Sequence, residues 1–123
     1  MIYLYGIPNC GSVKKARKLL EDNNVAYTFV DFKKTPPSHE QIQHWIDKIG
    51  IKELINKQGT KWRSLTDEEK QQAQKEDTAI SLIIKHPTLI KRPLIEWETC
   101  TWSDREISTG FDEDYIFRRA VSS

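Results

Sequence analysis

Several things are scarce in this chain, and each scarcity removes a class of function. No apolar run approaches the roughly 18–20 residues that cross a bilayer, so no membrane role is expected. The 123 residues include two cysteines, Cys10 and Cys100, too few for a disulfide scaffold. The opening residues, Met1-Ile2-Tyr3-Leu4-Tyr5, carry no basic lead and no cleavage site. They do not read as a secretory signal, and a cytoplasmic location with reduced thiols is expected. There is no excess of one charge: Lys and Arg total 19, Asp and Glu 18, and the net charge is +1. A protein that lives on nucleic-acid phosphate normally carries more base, so direct nucleic-acid binding is not expected. His39, His44 and His86 do not fall with cysteines or acids at metal-ligand spacing, so no metal is expected. A Gly-rich phosphate loop, a Ser-His-Asp set, internal repeats and low-complexity segments are all missing.

What is present describes a globular protein. Charged residues make up 30% and apolar ones 37%, a balance that supports a packed core and argues against disorder. Ile2 to Gly6 reads as a short strand ended by Gly6-Ile7-Pro8-Asn9. Val13, Ala16, Leu19 and Leu20 then fall at helical spacing, and Asp22-Asn23-Asn24 stops that helix. A second strand runs from Ala26 to Phe32, which completes a βαβ unit. After Pro36-Pro37, Ser38 and Gln41 form a capping box for a helix faced by Ile42, Trp45, Ile46 and Ile49 and ended by Gly50. A short helix is expected over Lys52 to Asn56 and a turn at Gln58-Gly59. Thr66 and Glu69 give a second capping box. Asp77 is expected to cap a helix carrying Ile80, Ile83 and Ile84, which stops before Pro87. Arg92 to Trp97 reads as a strand with Pro93 at its start, and Arg105 to Ser108 as its hairpin partner. Asp112, Glu113 and Asp114 open a last helix closed by Arg118 and Arg119, as the helix dipole favours.

The order is βαβ, a helical block, then ββα. Without the block this is the arrangement of an α/β thioredoxin-like fold with a four-stranded mixed sheet. One domain is expected, with its core at residues 1–35 and 87–123 and a helical insertion at 36–86.

Cys10 stands where the first strand gives way to the first helix. A thiol there meets unpaired backbone N–H groups and the positive end of the helix dipole, which both favour a thiolate. Asn9, Gly11 and Ser12 surround it, Gly11 leaves room beside the sulfur, and Lys14 adds positive charge one turn on. Redox sites of this kind usually read Cys-x-x-Cys, with the second thiol resolving the mixed disulfide. Here Val13 holds that position. A single-cysteine mechanism needs an external thiol, unless Cys100, in an expected hairpin loop, reaches Cys10.

These residues bring a family into view. The chain resembles the ArsC/Spx/YffB family, the arsenate-reductase-like branch of the thioredoxin superfamily, over nearly its whole length. The matching segments are Leu4 to Cys10, Val13 to Arg17, Asn56 to Arg63, His86 to Pro93, and Gly110-Phe111. The combination is most similar to the single-cysteine YffB type. The resemblance implies a thiol-dependent reductase fold with Cys10 as nucleophile, Pro93 as the cis-proline beside it, and Arg92 as a binder of an oxyanion or carboxylate. Two other arginines of arsenate reductases have no counterpart, since Asn56 and Thr109 or Gly110 stand near their places. Lys57, Lys61 and Arg63 lie in a matching segment, with Lys57 and Arg63 taken as candidate anion ligands. Trp62 reads as core in preference to a platform against a ligand.

The expected activity is therefore a glutathione-dependent thiol/disulfide or oxyanion reductase, with no bound cofactor, glutathione or a similar thiol as co-substrate, and glutaredoxin as a possible reducing partner. The competing expectations are a non-catalytic, Spx-like protein that docks on RNA polymerase, and arsenate reduction proper.

Overall fold

A computed structural model of the chain describes residues 2–97 and 106–122. Cys100, Arg105 and the expected hairpin loop lie outside the described residues. The chain divides into two compact units, one formed by Met1–Asp31 with Arg92–Ser123 and the other by Phe32–Lys91.

The first unit is the sheet. Its strands are β1 (Ile2–Gly6), β2 (Tyr27–Asp31), β3 (Leu94–Trp97) and β4 (Glu106–Thr109), in the spatial order β2-β1-β3-β4. β1 and β2 are parallel, joined through helix α1 (Gly11–Asp22), whereas β3 is antiparallel to both β1 and β4. The sheet is therefore mixed, in a thioredoxin-like α/β arrangement. One face is apolar: Ile2, Leu4, Ile95 and Trp97 pack with Val13, Ala16 and Leu20 of α1 and with Ile116 and Ala120 of the C-terminal helix. That face excludes water from nine side chains that are 6% exposed or less, which is the main driving force for docking helices onto the sheet. The indole of Trp97 also donates to Ser108 Oγ at 2.9 Å, which fixes β3 to β4 through side chains.

The approach of α1 to β1 requires Gly6. A Cβ there would fall 2.6 Å from Val13 Cγ2, so any other residue would push the first turn of the helix away from the strand. Gly6 thus sets where Cys10 sits.

The second unit is helical: α2 (His39–Ile49), α3 (Ile51–Leu54), α4 (Thr60–Ser64), α5 (Asp67–Gln72) and α6 (Glu76–Lys85), followed by a 3-10 turn at Pro87–Leu89. Both capping boxes are formed, Ser38 with Gln41 and Thr66 with Glu69. Gly50, at φ 82°, ends α2 as a left-handed position that favours glycine. Ile42, Trp45, Ile46, Ile80, Leu82 and Ile83 are buried.

Several expectations need correction. The compact helical unit runs from Phe32 to Lys91, around the insertion expected at 36–86; Phe32 is buried edge-on to Trp45, and the chain near Lys91 is tied back. Asn56 N–H donates to Leu89 O and Lys91 N–H to Leu54 O, both at 2.8 Å, around an Ile55–Ile90 bridge. The same bridge stops α3 at Leu54, short of the expected Asn56, because Ile55 must be extended. α4 was not expected. Asp77 lies inside the first turn of α6, whose N-cap is Lys75, with no side-chain cap. Ile84 is 42% exposed, and Leu82 takes the buried position. The C-terminal helix, α7, spans Glu113–Ser122, with Asp112 Oδ1 accepting from Tyr115 N–H at 3.1 Å.

Candidate active site

Cys10 is the N-cap of α1, with extended backbone (φ −90°, ψ 129°) and no side-chain cap hydrogen bond. Its N–H donates to Ile7 O at 3.3 Å, and its carbonyl accepts from Lys14 N–H at 2.9 Å, the first bond of the helix. The side chain at an N-cap is the one held over the first-turn N–H groups. Serine or aspartate would place an accepting oxygen there; this chain places sulfur. The thiol is free and half-buried, and it packs on the apolar core of the sheet. A sulfur in this position has donors for a negative charge on one side and an open side for attack.

The neighbours divide by role. Asn9 and Gly11 are exposed and Ser12 is half-buried. A Cβ on Gly11 would meet nothing within 4 Å outside its chain neighbours, so the approach beside Cys10 is open. Val13 is fully buried against Gly6. The position of a resolving thiol is thus a core position here. Lys14 is exposed, and it lines a shallow depression with Pro8, Arg17, Lys18, Glu21 and Asp22. The other cations of that depression are engaged. Lys18 pairs with Asp22 at 2.9 Å, and that hydrogen-bonded carboxylate raises its pKa. Arg17 donates from Nε to Tyr27 Oη at 3.0 Å and lies 4.1 Å over the Phe29 ring. Burial, with a hydrogen bond to Glu21, raises the pKa of Tyr27.

Arg92 and Pro93 stand at the same end of the sheet. The β1–β3 ladder ends at the pair Tyr5–Leu94, so Pro93 falls beside the end of the strand that runs on into Cys10. The Arg92–Pro93 bond is cis, Pro93 is buried, and its carbonyl accepts from Gly110 N–H at 3.0 Å. Arg92 is half-buried, and no hydrogen bond or ion pair engages its guanidinium among the described residues. Topology therefore brings Cys10, its loop, Arg92 and Pro93 to one sheet end from opposite parts of the sequence.

Lys57 and Arg63 belong to the helical unit, and both are exposed. Lys57 Nζ lies 5.3 Å from the Trp62 ring centroid, and Lys70 Nζ lies 6.0 Å from it. Trp62 is half-exposed and carries cations against its ring, so it is not core, contrary to expectation. Asn56 serves its own turn: Oδ1 accepts from Gln58 N–H at 3.1 Å, and Nδ2 fills the space a Cβ at Gly59 would need. Gly110, at φ 81°, occupies a turn that favours glycine.

One buried polar pair was not anticipated. Tyr5 Oη donates to Glu96 Oε1 at 2.9 Å, and both side chains are buried. Alternation along Ile95-Glu96-Trp97 does not tell which face Glu96 takes. Every residue of β3 is buried, so both faces of this strand are covered and Glu96 has no outward side.

The described residues contain no helix long and apolar enough to cross a membrane. Comparison with known proteins places the chain. A model of the ArsC family matches residues 5–118. An uncharacterized protein of Haemophilus influenzae is 39% identical over 113 residues, covering 92% of this chain and 93% of that one. The solved structure of a YffB protein superposes with a TM-score of 0.85 at 32% identity, over 98% of this chain and 99% of that one. Two functional classes stand further off. The Spx 1 transcriptional regulator of Oceanobacillus iheyensis is 29% identical over 96% of this chain and 86% of its own. An arsenate reductase of Escherichia coli is 26% identical over 76% of this chain and 67% of its own. With a family match across residues 5–118 and a relative 39% identical over nearly its full length, the chain belongs to the ArsC family.

Proposed function

We propose that the protein is a single-cysteine, glutathione-dependent thiol–disulfide reductase acting in the cytoplasm. The observation that carries this reading is Cys10 itself: a free thiol at the N-cap of α1, uncapped by any side chain, at the sheet end where Arg92 and Pro93 lead into β3. Cys10, as thiolate, attacks the glutathionyl sulfur of a mixed disulfide. A Cys10–glutathione disulfide forms, and the substrate thiolate leaves and takes up a proton. A second glutathione thiolate then attacks the glutathionyl sulfur, which releases oxidised glutathione and restores Cys10. With Val13 in the core, this chain supplies no second thiol at that position, so the resolving thiol comes from solution. The first-turn N–H groups hold charge on the Cys10 sulfur, with Lys14 adding to the field. Arg92 receives a carboxylate of glutathione through its planar fork of donors.

Among ArsC-family activities, mixed-disulfide reduction is favoured over arsenate reduction by Asn56 and the Thr109-Gly110 pair. None of these residues offers a guanidinium, and Asn56 is spent on its own turn. The test is turnover of a glutathionylated peptide with glutathione, alongside arsenate as a competing substrate. Release of peptide thiol that disappears in Cys10→Ser supports the proposal. Turnover of arsenate alone moves the protein to the arsenate reductases. No turnover of either, with Cys10 still readily alkylated, points to a binding role of the Spx kind.

A further inference from the structure

We infer that Tyr5 and Glu96 are positioning residues for the Cys10 thiol: their buried hydrogen bond anchors Tyr5, in the last β1–β3 pair before the loop to Cys10, back to Glu96 two residues inside the ladder. The inference rests on the proposed reading of Cys10 as the reacting group, but it is tested in part without turnover.

Glu96 is 1% exposed and Tyr5 is 5% exposed, and Glu96 is the only buried charged or polar side chain among the described residues. Burying a carboxyl costs free energy, and an apolar pair of similar volume often serves stability as well or better. The place of the bond suggests what it does. The β1–β3 register pairs Tyr3 with Glu96 and Tyr5 with Leu94, so Tyr5 and Glu96 are diagonal neighbours on the same face. The next step of the ladder would join Gly6 to Pro93. Pro93 has no N–H to donate, and Gly6 has no side chain to pack. Backbone pairing and packing both run out there, one residue before the loop that leads to Cys10. On the far side of β3, Gly110 N–H to Pro93 O ties the strand start to β4. On the near side, Tyr5 Oη to Glu96 Oε1 ties β1 to β3. The pair acts across two strands. Its effect passes through Gly6, against which Val13 and the first turn of α1 are seated.

The experiment uses three variants of the full chain. Tyr5→Phe removes only the hydroxyl. Glu96→Gln keeps an oxygen to accept from Tyr5. Ile116→Val makes a small core change in α7, away from the strand end. Iodoacetamide labelling of the Cys10 peptide at neutral pH is followed by mass spectrometry, together with the thermal midpoint and kcat and KM for the glutathionylated peptide. Tyr5→Phe is expected to slow Cys10 labelling about threefold, because the sulfur loses register with the helix N-terminus. Its kcat is expected to fall about tenfold at an unchanged KM, the pattern of a displaced reacting group. Glu96→Gln is expected to keep wild-type labelling. Ile116→Val is expected to lower the midpoint with both rates intact. The inference is overturned if Tyr5→Phe labels at the wild-type rate, or if Ile116→Val slows labelling as much as Tyr5→Phe for an equal loss of midpoint. If the wild-type protein turns over no mixed disulfide, the proposed function fails, and the labelling rates still decide the role of Tyr5 and Glu96.

Discussion

Two helices of the helical unit, α2 and α5, and the first helix of the sheet unit begin in opposite ways. In the helical unit, α2 and α5 start with complete capping boxes, Ser38 with Gln41 and Thr66 with Glu69, and carry acids in their first turns. In the sheet unit, α1 starts on Cys10 with no side-chain cap and no acid in its first turn. It is the longest helix described, and its mate α7 has both Asp112 as acceptor and acids after it. Satisfying the first-turn N–H groups is worth stability, and α2 and α5 take it. The one helix that leaves those donors to a sulfur is the one whose first turn faces the candidate chemistry.

Substitutions at the two kinds of helix start would sharpen or break that contrast. The largest effect is expected from Cys10→Ser. Serine is a preferred N-cap, so the variant should abolish turnover of a glutathionylated peptide while raising stability by about 1 kcal/mol, read by urea unfolding. A variant that loses activity and also loses stability would mean that the N-terminus of α1 is not held open at a cost. Next is Arg92→Ala. Loss of charge-assisted hydrogen bonds to a carboxylate should raise KM by about tenfold or more with kcat less affected; Arg92→Lys should recover part of it, since an ammonium lacks the fork. Ser38→Ala comes third. It should cost about 1 kcal/mol in unfolding experiments and leave the labelling rate of Cys10 unchanged. A change in labelling would show that the two helix starts are not independent.

The smallest effect is one of pH. Glu69 is held below the usual carboxylate range, first by the Thr66 backbone N–H and then by His86, whose Nε2 lies 3.2 Å from Glu69 Oε2. A carboxyl with a lowered folded-state pKa stabilises the fold above its ordinary value, and that contribution is lost as pH falls through the lowered value. Stability measured from neutral to acid pH should therefore fall less steeply in Glu69→Gln, which keeps the capping box, than in the wild type. An identical slope would remove Glu69 from the acid response.

Local chemistry made much of this legible. The strand Ile2–Gly6, both capping boxes, the Gly50 terminus and the stop before Pro87 depend on neighbours within four residues, and they are found where the sequence places them. The misses share a cause. α3 ends early because Ile55 pairs with Ile90, far along the chain. Trp62, apolar and flanked by polar residues, reads as core, yet it stays half-exposed because lysines from two segments reach its ring. Glu96 has no orientation legible in the sequence, because alternation cannot tell a sheet face open to water from a covered one. For the site, Cys10, its loop and the arginine before the proline were visible as residue types in a pattern.

The sequence alone determined the kind of chemistry on offer: one thiol after a strand and before a helix, an arginine before a proline, and no second cysteine three residues on. Those facts are local or compositional, and no folding rearranges them. The tertiary structure decided what they amount to together. It brought residues 10 and 93 to one end of the sheet, because β3 runs antiparallel beside β1. It made Val13 a core residue, because Gly6 lets the helix close on the strand. It also buried Tyr5 against Glu96, on a strand whose two faces are both covered. Pairing between distant strands carries no signature in either strand by itself, and on that pairing the geometry of the candidate site depends.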